Sequence, residues 1–290
     1  MKLSEHYKDR AKDFRYLDAE LNEENSKLLF DTWSTKYSKY VKDADEENKI
    51  EMISRSIRSR RELETSALMW AEAKHVRSIG CISAYYFLRY YSLFHAMWSV
   101  LFLNPEVDRR IVKVTHKKLK NMFCDYYANH DYCVFDKDLA EFIESTKNYR
   151  ETYSYNRPNN LLHVPETEDK QERILLTCYQ LTNLFTTILR SKLPCVRIST
   201  KNRETMLKEF AYFNGHQNED ESYEFDPLEE DLLYEIKKVG MYVDELEVAL
   251  GHDWDELGYN SVSKEVFEVD AVDKIKAEAY SFIYKAIPYL

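Results

Sequence analysis

At 290 residues, 44% of them hydrophobic, the chain has apolar material for one large domain or two modest ones and reads as a soluble globular protein. Five glycines and six prolines are too few for a turn-rich all-β fold or a glycine-built phosphate loop, so an all-α architecture is expected. The net charge of -10 argues against a nucleic-acid partner until it is divided: residues 201–290 hold 22 acids and 9 bases, leaving 29 acids and 32 bases for residues 1–200.

In chain order, MKLSEHYKDRAKDF alternates charges and reads as neither a secretion signal nor a membrane anchor. Helices are expected over 4–21 and 24–42, the second carrying Leu28, Leu29, Trp33, Tyr37 and Tyr40 at near-helical spacing. After the polar break DADEEN, an amphipathic helix runs from Ile50 to Ile79 and is punctuated by Gly80. The aromatic helix 81–103 follows and stops at Asn104-Pro105, because proline clashes with the preceding turn. Its most apolar part, Met97 to Leu103, is too short to span a bilayer.

A basic connector, DRRIVKVTHKKLKNMFCDYY, leads to a helix over 136–149 and then to the loop SYNRPNNLLHVPE. Pro165 suits a first helical position, with Glu166, Glu168 and Asp169 where the helix dipole favours acids, so a helix is expected over 166–192. Beyond residue 200 the composition turns acidic: 217–231 reads as an exposed loop, with helices over 228–250 and 270–287. The organisation expected is therefore an N-terminal helical extension (1–48), a helical bundle (49–198) and an acidic helical C-terminal region (199–290).

The bases concentrate in residues 51–123, with 13 against 6 acids, a pattern compatible with RNA contact or with an ordinary solvated helix face. Five cysteines, odd in number and without a CxxC pair, suit a reduced cytoplasm and no zinc knuckle. Within the aromatic helix, Arg89 and His95 lie about 120° apart on a helical wheel. Tyr85, Ser92, Ala96 and Ser99 lie between them, a polar and small-residue stripe interrupted by Leu88 that lets another helix approach closely, with Ser92, Ala96 and Ser99 a candidate dimer seam. Arg89 and His95 are thus either satisfied polar groups at a helix contact or members of a site.

Three segments in order, YYSLFHAMWSVLF, THKKLKNMF (115–123) and RETYSYNRP (150–158), make residues 61–192 resemble the HEPN superfamily of helical bundles. That resemblance implies an antiparallel four-helix bundle and either of two roles. One is a metal-independent endoribonuclease, a toxin or antiviral defence effector, in which the ribose 2′-OH attacks the neighbouring phosphate in a cleft shared by a homodimer, so that DNA is no substrate. The other is a non-catalytic module that binds a nucleotide, RNA or a protein such as a nucleotidyltransferase. No metal or cofactor is expected in either.

Catalytic members of the superfamily carry an arginine and a histidine four to six residues apart, at the entrance to the final bundle helix. Arg157 and His163 occupy that place and are the expected catalytic pair, with Arg89 and His95 as the alternative. In such a pair the histidine moves the proton while the arginine binds phosphate. Arg150, Tyr155, Arg110, His116, Lys117 and Lys118 are the expected RNA contacts. Tyr153 and Tyr155 are suited either to stacking on bases or to packing the loop onto the bundle.

The chain departs from the superfamily at Pro158, which follows the arginine, and at Ser154, where an Asp is common in the related branch. Pro165 and Met97 stand where some members carry a modifiable tyrosine, so regulation by that route is not expected. The acidic C-terminal region is read as a sensor, inhibitor or surface for a regulatory protein or nucleotide, with no membrane partner. His130-Asp131 and His252-Asp253 lack the further ligands a metal phosphohydrolase needs, and GxxxxGK[ST], HExxH and GxSxG are absent.

Overall fold

The computed structural model describes residues 1–8, 12–153, 167–196, 203–217, 223–224, 241–242 and 271–287. These residues are mostly helical, as the scarcity of glycine and proline implies. At the start, α1 (Leu3–His6) and α2 (Arg15–Glu20) stand where one helix over 4–21 was expected. Asp18 accepts from the backbone N–H groups of Leu3 and Ser4 at 2.7 and 3.1 Å, and Ser4 Oγ accepts from Phe14 N at 2.9 Å. These side chains satisfy the donors of both short helices and fold the segment back on itself.

Helix α3 (Glu23–Asp43) begins at Asn22 and α4 (Glu46–Ser78) at Asp45, each capping the N–H three residues ahead at 2.8 Å. Gly80, in the left-handed region at φ +82°, turns the chain into α5 (Ile82–Phe102). Helix α5 lies antiparallel along α4: Ser66 Oγ donates to Ser92 O and Ser59 Oγ to Ser99 O. At its end the buried Arg55 donates to the carbonyls of Phe102, Asn104 and Val107 at 2.8, 2.8 and 3.0 Å, occupying acceptors that the helix cannot pair itself.

A 3₁₀ turn, Arg109–Lys113, leads to α6 (His116–Tyr127), then α7 (Leu139–Glu151) and α8 (Glu168–Lys192). Helix α8 packs against α5, with Ser99 and Thr182 hydroxyls 3.0 Å apart, and against α3, where Trp33 meets Phe185 with ring centres 4.4 Å apart. The stripe Ser92, Ala96 and Ser99 is fully buried between α4 and α8 within one chain, so it is not a dimer seam.

Strand β1 (Cys195–Val196) precedes α9 (Arg203–Asn214), a helix not foreseen, and the ladder β2 (His216–Gln217) with β3 (Tyr223–Glu224). Within the helix expected at 228–250, Met241 and Tyr242 instead form β4, antiparallel to β1. Gly240 stands directly before them, a residue that weakens helix continuation, and Met241 is buried in the core. The rest of that span lies outside the described residues.

Helix α10 (Ala271–Ala286) packs on α4 and α8. One hydrophobic core draws Leu17 and Trp33, the α4, α5 and α8 faces, Phe210 and Phe282 together, so segments on both sides of the boundaries expected at 48/49 and 198/199 share it. Gln180 fastens this arrangement: its Oε1 accepts from Tyr16 N and Leu17 N at 2.9 Å, and its Nε2 donates to Asp13 O and Ala286 O at 3.1 and 2.9 Å. Among the described residues no helix is long and apolar enough to cross a membrane.

Candidate functional site

The two polar residues of α5 go to different places. Arg89 is 1% exposed and turns towards α8, where its Nε donates to Gln171 Oε1 at 2.6 Å and its Nη2 to the Thr167 hydroxyl and carbonyl. Gln171 returns a bond to Arg89 O at 2.7 Å, and the Tyr85 hydroxyl lies 3.4 Å from Arg89 Nη1. Tyr85 in turn donates to Glu168, which pairs with Arg77. Arg89 is therefore a cation surrounded by neutral acceptors in a helix contact, a placement that costs stability unless every donor is met.

His95 faces α4 instead. Its Nδ1 is hydrogen-bonded to Glu62 Oε2, and Glu62, 2% exposed, is held at Oε1 by Arg58 Nε at 2.6 Å. The i, i+4 spacing of Arg58 and Glu62 puts them on one face of α4. Among the described residues Arg89 and His95, expected as an alternative pair, share no partner.

His116 opens α6. Thr115 caps that helix by accepting from Lys118 N at 3.4 Å, and Leu119, Phe123 and Tyr127 bury one face at helical spacing. This seats His116 against α5, its ring centre 4.1 Å from Phe94 and 5.7 Å from Tyr91, with Nδ1 2.9 Å from the Tyr90 hydroxyl. Arg150 enters from the end of α7. Its guanidinium lies 4.7 Å from the Tyr90 ring centre and 5.6 Å from that of Tyr91, and Nη1 donates to Tyr91 OH at 3.3 Å. Lys120 of α6 reaches Glu144 of α7 at 2.7 Å and ties the two helices together, and Lys147 meets the same carboxylate from within α7.

Three helices thus bring His95, His116 and Arg150 around Tyr90, Tyr91 and Phe94. Burial, and then the charges of Arg150, Lys147 and His95, push the His116 imidazole below its ordinary value of 6.5, so the ring is neutral near pH 7. Burial, against the pull of Arg150, raises the Tyr90 hydroxyl to about 12, so it stays protonated beside His116. Nδ1 of each histidine is engaged within the protein, leaving Nε2 as the nitrogen for a substrate. Phe87, 37% exposed, lies 4.6 Å from Tyr91 between ring centres and extends the aromatic surface outward. No family model, no curated protein and no solved structure matches this chain.

The other expected residues fall as follows. Arg157, His163 and Tyr155 lie outside the described residues. Arg110 is exposed and forks onto Asp108 at 2.8 and 3.1 Å, so the structure does not join it to His116. That contact holds the Asp108 carboxyl down at about 2. Lys117 and Lys118 are exposed beside His116. Tyr153 does not present its ring to solvent: it is buried against Tyr86, 4.4 Å between centres, so of its two expected roles the structure shows packing.

His130 Nδ1 accepts from Asp131 N at 3.0 Å, and its ring stacks on Tyr132. No group of three or more His, Cys, Asp or Glu among the described residues is arranged to hold a metal. Glu62, Arg58, Tyr90 and Tyr91 were missed from sequence. The only signal for the first two was their helical spacing, and the tyrosines read as core.

Proposed function

We propose that the chain is a metal-independent endoribonuclease built on a HEPN-like bundle, with RNA as substrate and its chemistry at His95, His116 and Arg150. The observation that carries this reading is the convergence of two histidines and an arginine from α5, α6 and α7 on one aromatic-lined place, beside the exposed Lys117 and Lys118. Neutral His116 takes the proton of a ribose 2′-OH through Nε2. The 2′-oxygen attacks the adjacent phosphorus, forming a 2′,3′-cyclic phosphate and breaking the bond to the 5′-oxygen, which receives a proton from protonated His95. Arg150 stabilises charge on the phosphate. Phe87 and Tyr91 offer ring faces to a base, and Lys117 and Lys118 track the backbone. A homodimer, a role in toxicity or antiviral defence, a cytoplasmic location and control through residues 199–290 belong to the same proposal.

The test is cleavage of single-stranded RNA by the purified full chain and by His95→Ala, His116→Ala, Arg150→Ala, Arg157→Ala and His163→Ala. Each of the first three is expected to lower the rate by about 100-fold or more while the helical circular dichroism is kept. Loss confined to Arg157→Ala and His163→Ala would move the chemistry to the loop, and RNA left intact by the wild type would end the ribonuclease reading.

A further inference from the structure

Glu62 is a carboxylate in an expensive place. It is 2% exposed on α4, and its two oxygens are divided between Arg58 and His95. A carboxylate buried to this degree is retained in its ionised form only where cations and donors meet both oxygens. Arg58, with 34% of its side chain exposed, meets one; His95 Nδ1 meets the other. An ionised carboxylate can only accept, so the proton in the second contact sits on Nδ1. A free neutral imidazole prefers its proton on Nε2, and the contact with Glu62 reverses that preference.

We infer that Glu62 is a positioning residue for His95: it fixes the ring orientation and the Nδ1–H tautomer, presents Nε2 to the substrate, and offsets the positive charge when Nε2 carries a proton. Arg58 holds the carboxylate in place from the next turn of α4. This inference rests on the reading of His95 as a site residue, but its structural half can be tested without any activity. The charged and titratable groups placed about the ring are Glu62 from α4, with Arg58 behind it, Tyr91 from α5 and His116 from α6, while Arg150 and Lys147 from α7 act on His116. Among the described residues the Glu62 carboxylate meets Arg58 and His95, so Glu62→Gln removes the ring's carboxylate partner while keeping the shape of the side chain.

The experiment has two arms. Nitrogen–proton long-range NMR of the histidine rings in the wild-type chain is expected to show neutral His95 with Nδ1 protonated, and Glu62→Gln to shift it towards the Nε2–H form. In the second arm, the pH profile of RNA cleavage by Glu62→Gln is expected to show kcat lowered by about 10- to 1000-fold, its limb from His95 displaced and KM little changed, with partial recovery in Glu62→Asp.

Wild-type His95 in the Nε2–H form overturns the inference, as does a Glu62→Gln variant with unaltered tautomer and pH profile. If Glu62→Gln does not fold, the wild-type tautomer alone decides. If the wild type cleaves no RNA, the ribonuclease reading falls, and the NMR arm still decides whether Glu62 sets the state of His95.

Discussion

His116 carries the clearest pH consequence at the scale of single residues. Burial and the cations around it disfavour the imidazolium, so the folded state binds this proton less readily than the unfolded chain. The stability contributed by the neutral ring is complete above the ordinary value of 6.5 and is lost as pH falls below it towards the lower folded value. His116→Asn, which keeps a polar group near Tyr90, removes that dependence. Urea unfolding at pH 7.5 and 5.5 is expected to show a smaller acid loss in the variant than in the wild type, and equal losses would mean that His116 is not depressed.

Arg89 makes the opposite kind of prediction, one of stability without chemistry. Removing it leaves Gln171 Oε1 and the Thr167 carbonyl without their donor in the α5–α8 contact. Arg89→Ala should lower the unfolding free energy by about 2–4 kcal/mol, measured by urea titration.

Between residue and fold, the ends of α5 and the start of α6 decide where the site sits. Arg55 gathers three carbonyls at and just beyond the end of α5 with a planar fork that a single ammonium cannot reproduce. Arg55→Lys is expected to cost about 1–3 kcal/mol of stability and to speed amide exchange in the turn after α5, without changing the helical content of α4.

Helix α6 shows why part of the site was illegible in the sequence. Thr115 as a cap and Leu119, Phe123 and Tyr127 at helical spacing were visible, but the surrounding lysines read as a connector, and with the helix unrecognised His116 had no face. The long helices α3, α4, α5 and α8 were legible to within a few residues, because their apolar periodicity and flanking Asn22, Asp45, Gly80 and Pro105 act locally. The turn between α1 and α2 was not, since it is held by Asp18 reaching back to Leu3, a contact that no local period announces.

For the whole molecule, nearness along the chain pairs His95 with Arg89 and His163 with Arg157, whereas packing sets His116 and Arg150 against Tyr91, the ring that His95 also meets. Which residues share a surface is fixed by helix crossings, and those are not encoded in any short window. The same packing exposes Lys117 and Lys118 next to His116, while Arg110 is engaged by Asp108. The salt dependence of RNA binding should therefore weaken by about 0.7 in logarithmic slope for each of Lys117→Ala and Lys118→Ala, measured by fluorescence anisotropy on single-stranded RNA. Arg110→Ala should change it less, because its loss also frees an acid.

The most direct test of the account is the fate of one phosphodiester in an oligonucleotide cleaved by the wild-type chain, with and without a 2′-hydroxyl at the nucleotide on its 5′ side. The expected result is a 2′,3′-cyclic phosphate and a 5′-hydroxyl from the ribonucleotide, no cleavage at the 2′-deoxy position, and loss of the reaction in His95→Ala and His116→Ala. Cleavage that persists at the deoxy position, or that leaves a 5′-phosphate, would contradict it.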